Sequence, residues 1–159
     1  MRMKSLIAAA IFAAATAPAV QAADSALLDG NSVDDILNLA RGYGSAIAGT
    51  QDSGAPKISG KIEGQPYTIY FSSCDSKTHK DCEDLDLYAG YLGIKPSADK
   101  INGWNRDTRF ARAYLDSDGD AGMDMDINLL HGVSSDNLDS SLGLWAQLVK
   151  KFTAFVNEK

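Results

Sequence analysis

Residues 101–132 read INGWNRDTRFARAYLDSDGDAGMDMDINLLHG. Within this stretch a helix end, an acidic turn and two strand patterns follow one another without spare residues. Arg109–Leu115 and Met123–Leu130 are the strand patterns, and in the second Met123, Met125, Ile127 and Leu129 alternate with Asp124, Asp126 and Asn128. A period of two with an Asp-Gly turn between two runs predicts a β-hairpin. A three-residue loop places Arg112 opposite Asp126, whereas a two-residue loop places it opposite Met125. The first register is expected, because opposite charges facing each other across two strands stabilise the pair.

Upstream, Gly93-Ile94-Lys95-Pro96 breaks a sheet pattern, and Ser97 is placed to cap a short helix carrying Asp99 in its first turn and Ile101 and Trp104 on one side. Three strand patterns precede it: Lys57–Glu63, Tyr67–Ser73 and Asp84–Leu92. Ser45–Thr50 is short and apolar, so it reads either as a further strand or as the tail of a preceding helix. The loop chemistry of Gln51–Pro56 favours the strand. That first helix is capped by Ser32, has Asp34 and Asp35 at the positive end of its dipole, and repeats Val33, Ile36, Leu37 and Ala40 at helical spacing before Gly42 and Gly44 stop it.

Downstream, His131-Gly132-Val133 turns the chain and Ser134 or Ser135 caps a final helix. Leu138, Leu142, Trp145, Leu148, Val149, Phe152, Phe155 and Val156 trace its apolar stripe. Some 23 residues at about 1.5 Å each make a rod about 35 Å long, which crosses a whole sheet. The pattern predicts an α+β fold, an antiparallel sheet flanked by helices in the order α-β-β-β-α-β-β-α.

The first 22 residues read as a secretory signal: Arg2 and Lys4 form the charged region, Leu6–Thr16 the apolar region, and Val20-Gln21-Ala22 a small-residue cleavage site. The apolar run falls short of the roughly 20 residues that a spanning helix needs, so no stable membrane insertion is expected after cleavage. Residues 23–159 are then one domain, periplasmic or secreted. Without Arg2 and Lys4 the chain keeps 13 basic against 21 acidic residues, a formal charge of −8. Such a balance repels nucleic acid and anionic lipid headgroups.

Cys74 and Cys82 are the only cysteines. In an oxidising compartment two nearby thiols form a disulfide, and a metal site of Cys74, His79 and Cys82 lacks a fourth ligand at a recognisable spacing. Asp116, Asp118 and Asp120 are the candidate metal ligands, because alternating carboxylates resemble the start of a calcium loop. The glycine needed at the sixth position is Ala121 and the glutamate needed at the twelfth is Ile127, so the turn reading prevails. His79 and His131 fall in turns, away from any nucleophile at a diagnostic spacing. No catalytic residue and no cofactor is assigned.

The elements Trp104-Asn105-Arg106, Arg109-Phe110-Ala111-Arg112-Ala113-Tyr114 and Gly132-Val133-Ser134 resemble the YbjN family of bacterial proteins, described as sensory transduction regulators. The resemblance runs from about Val33 to Phe155, and the paired cysteines stand where exported members place a Cys-containing strand connection. His131-Gly132 stands where many members carry two glycines. The resemblance implies a curved antiparallel sheet with flanking helices, similar to type III secretion chaperones, and no family catalytic residues to carry over.

Together these readings predict a non-enzymatic, exported protein-binding or regulatory module of the bacterial envelope, in sensory or stress signalling, acting on a protein partner. A homodimer is compatible with the fold. A calcium-responsive or buffering role for the Asp116–Asp126 carboxylates is the alternative.

Overall fold

The structure is a computed structural model that describes residues 27–158. Residues 1–22, read above as a secretory signal, lie outside the described residues. The elements run α1 (Val33–Arg41), β1 (Ser45–Thr50), β2 (Pro56–Ile62), β3 (Gln65–Ser72), β4 (Asp84–Tyr91), α2 (Ala98–Asp107), β5 (Arg112–Leu115), β6 (Ala121–Asn128) and α3 (Ser135–Asn157). Ser45–Thr50 is thus a strand, so four strands precede α2 where the predicted order counted three.

The six strands form one antiparallel sheet in the order β1-β2-β3-β4-β6-β5. Alternation decides which side is buried. Ile58, Ile69, Phe71, Leu85, Leu87 and Met123 point to one face and are almost wholly buried. The helices cover that face. The stripe of α3 supplies Leu138, Trp145, Val149 and Phe152 to the same core, and Phe152 meets Trp104 of α2 at 4.8 Å and Tyr91 of β4 at 5.1 Å between ring centroids. The aromatic residues of α3 are therefore core rather than a binding groove.

Two of the three helices among the described residues start on the same serine cap. Ser97 and Ser134 accept from the backbone N–H of Lys100 and Asn137, three residues into α2 and α3. Ser32 does not cap α1 in this way: its hydroxyl turns back to the Asp29 carboxylate and accepts from the Asp29 N–H.

The hairpin register differs from expectation. Arg112 faces Asp124, not Asp126. The expected loop length is right but its centre lies one residue earlier, at Ser117–Gly119: Asp116 N–H donates to Asp120 C=O, Gly119 N–H donates to Asp116 C=O, and Gly119 holds φ at 82°. This is a turn followed by a left-handed residue, a conformation that glycine adopts without steric cost. The glycine thereby fixes the loop centre, which the acidic run alone left ambiguous by one position. Strand β5 also begins three residues later than the pattern suggested, because Phe110 sits at φ 75° and interrupts extended backbone.

Candidate functional site

The second face of the sheet carries no helix among the described residues. Its rows follow from the pairing registers. One row crosses the sheet as Lys57, Tyr70, Asp86 and Asp126; the next as Ser59, Thr68, Tyr88, Asp124 and Arg112. These are the odd partners of the buried alternation, so the sequence that builds the core necessarily presents them on the opposite side. Most of them are half-buried, by one another rather than by another element.

Two tyrosines lie flat because glycines let them. A Cβ on Gly122 would stand 2.9 Å from the Tyr114 ring, and one on Gly90 would collide with the Tyr88 hydroxyl. Each ring thus covers the backbone of a glycine and leaves a smooth aromatic floor. Tyr70 and Tyr88 sit beside each other with centroids 6.5 Å apart. Beside Tyr88, where β3 begins and β4 ends, a depression of about 250 Å³ is lined by Thr68, Tyr88, Gly90 and Asp116 together with the buried Tyr67, Tyr91 and Asp120.

The electrostatics divide this face. Arg112 forks onto Asp124, with Nη2 at 2.7 Å and Nε at 3.2 Å from its oxygens, and lies 5.6 Å from the centre of the Tyr114 ring. Asp86 has no such partner. One of its carboxylate oxygens is shielded from solvent and receives no hydrogen bond among the described residues. Burial, then the Asp126 and Asp124 carboxylates, raise its pKa above the ordinary carboxylate value. Burial and the Asp124 carboxylate push Tyr114 up to about 12, and burial with the Asp116 carboxylate raises Tyr88.

The residues singled out from sequence fall into separate places. Trp104 is buried in the core, with Lys151 above its ring. Asn105 lies at the sheet edge: its side-chain amide donates to Ala113 C=O at 2.9 Å and its carbonyl accepts from Ala113 N–H at 2.8 Å. One side chain thereby imitates a neighbouring strand for β5. Arg106 pairs with Asp107 on the surface, and among the described residues Arg109 has no carboxylate within 4.0 Å. Phe110 is 71% exposed. Gly132 holds φ at 79° where a Cβ would stand 2.7 Å from Leu27, Val133 bridges to Leu28, and Ser134 caps α3. Trp104, Asn105, Gly132, Val133 and Ser134 are structural joints, Arg106, Arg109 and Phe110 lie on the surface, and Arg112 and Tyr114 belong to the open face.

Cys74 and Cys82 form a disulfide across the end of β3 and the start of β4. His79 packs over Gly54, and neither His79 nor His131 is hydrogen-bonded through its ring to a nucleophile among the described residues. Asp116, Asp118 and Asp120 do not converge. The Asp116 carboxylate accepts from the N–H groups of Asp118 and Asp120, while Asp120 turns inward with Lys95 Nζ at 3.5 Å. Among the described residues no three His, Cys, Asp or Glu side chains are arranged to hold a metal ion.

Sequence reading missed Tyr70, Asp86 and Tyr88 as a site. A signal was present: Tyr88 two residues before Gly90, on the polar side of a strand, marks an aromatic ring that can lie down.

Comparison with known proteins agrees with this architecture. The model of the YbjN family, described as "Putative bacterial sensory transduction regulator", matches residues 32–158. Among solved structures, the fold resembles the Yersinia pestis type III secretion chaperone SycH in complex with a stable fragment of YscM2. The two share 16% identity, with a TM-score of 0.51 over 77% of this chain and 98% of that one. No curated protein matches.

Proposed function

The chain belongs to the YbjN family, and from that premise we propose that it is an exported regulatory protein of the bacterial envelope that binds a protein partner on its open sheet face. It acts by binding rather than by catalysis. The observation that carries the reading is the face itself: a six-stranded sheet that, among the described residues, has helices on one side only and presents flat tyrosines among charged residues. Tyrosine and arginine are the residues on which protein interfaces concentrate their energy.

The fold is that of a chaperone whose solved structure contains a fragment of another protein, which supports protein binding here by analogy. Export is supported by the charged, apolar and small-residue sequence of the first 22 positions. The disulfide agrees with it, since such bonds persist in oxidising compartments.

The test is quantitative copurification from the native host, wild type against Tyr88→Lys. Tyr88 is half-buried on the face and contributes nothing to the helix-side core, so the variant should fold. A protein that copurifies with wild type and is lost at least roughly tenfold with Tyr88→Lys supports the reading. Partners retained equally by both place the binding surface elsewhere.

A further inference from the structure

The open face divides its charge by strand. Its basic residues on β2 are Lys57 and Lys61, and its acidic residues on β4 and β6 are Asp84, Asp86, Asp124 and Asp126. A two-fold axis parallel to the strands, running above the seam between β3 and β4, would exchange these halves. Under that operation β2 of one copy lies over β6 of the other, and β3 lies over β4. The row Lys57, Tyr70, Asp86, Asp126 then meets itself reversed: Lys57 faces Asp126 of a second copy, and Tyr70 faces Asp86.

We propose that the open face is an isologous dimer interface, covered in the free protein by a second copy of this chain in that orientation. A two-fold perpendicular to the strands is disfavoured, because it sets lysine on lysine and aspartate on aspartate. Sheets packed face to face stand about 10 Å apart with their strands within about 30° of alignment, so the central rows stay closest to register.

Size is adequate. Six strands about 4.8 Å apart and about seven residues long at about 3.3 Å each project roughly 600 Å², and side-chain relief brings the accessible area toward the ~800 Å² per partner of a standard interface. Tyr70, Tyr88 and Asp86 lie at its centre, on the two strands beside the axis, and Lys57, Asp124 and Asp126 flank them. A regulatory partner using the same face would have to displace the second copy, but the inference rests on the charge pattern of the face and not on such a partner.

The experiment is sedimentation velocity on the purified protein and two charge-reversed variants, Lys57→Glu and Asp126→Lys, singly and mixed. Wild type is expected to be dimeric at low salt and to dissociate as salt rises. Each variant places like charges opposite each other at both ends of the interface, so each is expected to weaken association roughly tenfold or more. Mixed in equal amounts, the two restore both pairs, Glu on Lys and Asp on Lys, and a heterodimer is expected. Asp136→Lys, with the same charge change on the helix side, should stay dimeric.

A monomeric wild type at roughly 100 µM would overturn the proposal. So would a dimer indifferent to both substitutions, or two monomeric variants that do not associate on mixing. Thermal melts matching wild type exclude unfolding as the cause. None of these failures touches the partner-binding reading, which copurification tests separately.

Discussion

His131 holds φ at 69° immediately before Gly132 at 79°, so two consecutive residues are left-handed at the turn into α3. The second is a glycine, for which that conformation is easy; the first is not, and a side chain there costs roughly 1 kcal/mol or more. Replacing His131 by Gly should stabilise the protein by about 1 kcal/mol in urea unfolding. A loss of stability would show that the imidazole makes a compensating contact. Asp86 is the second strained residue, electrostatically. Its folded-state pKa is raised, so the folded chain holds a proton that the unfolded chain releases, and stability falls as pH rises from the ordinary carboxylate value through the raised one. At neutral pH the full penalty of the ionised group is present. Asp86→Asn should therefore raise Tm at pH 7, with an advantage that shrinks toward pH ~4. An advantage that persists or grows at low pH would contradict the assignment.

At the scale of elements, α2 is tied to the sheet by one side chain. Asn105 pairs with both backbone groups of Ala113, which satisfies part of the outer edge of β5 and fixes the approach of the helix that carries Trp104. Asn105→Ala removes both bonds and should cost about 1–3 kcal/mol in chemical denaturation; a change within about 0.5 kcal/mol would assign the joint to Trp104 packing alone. The disulfide closes a short connection between β3 and β4, and Cys74→Ser with Cys82→Ser should lower stability by about 2–3 kcal/mol, with no effect of reductant on the double variant. Both joints were readable in part. Periodicity places the helices and most of the strands, because buried faces must repeat at two or 3.6 residues, but not β1, which buries only Ala46 and so shows no alternation. It does not fix register: Arg112 has acidic residues at 124 and 126, both on the polar side of β6, and only the conformation of Gly119 selects the first.

For the whole molecule, the same alternation that identified the core hid the site. Tyr70, Asp86 and Tyr88 read as the polar half of half-buried strands, and sequence does not state whether a second layer covers that half. The order of strands does, since β4 lies between β3 and β6 and brings Tyr70, Asp86 and Asp126 into one row that no local pattern contains. The acidic turn, conspicuous in sequence, instead uses its Asp116 carboxylate on its own backbone. The central claim is that this face, which carries no helix among the described residues, is where the protein meets its partners. Site-specific photo-crosslinking in the native host tests it most directly, with a photoreactive residue at Tyr88 on the face and another at Gln147, exposed on α3. The account predicts that position 88 yields discrete adducts with a protein other than this chain, and that position 147 does not. Adducts from position 147 alone, or none from position 88, would contradict it.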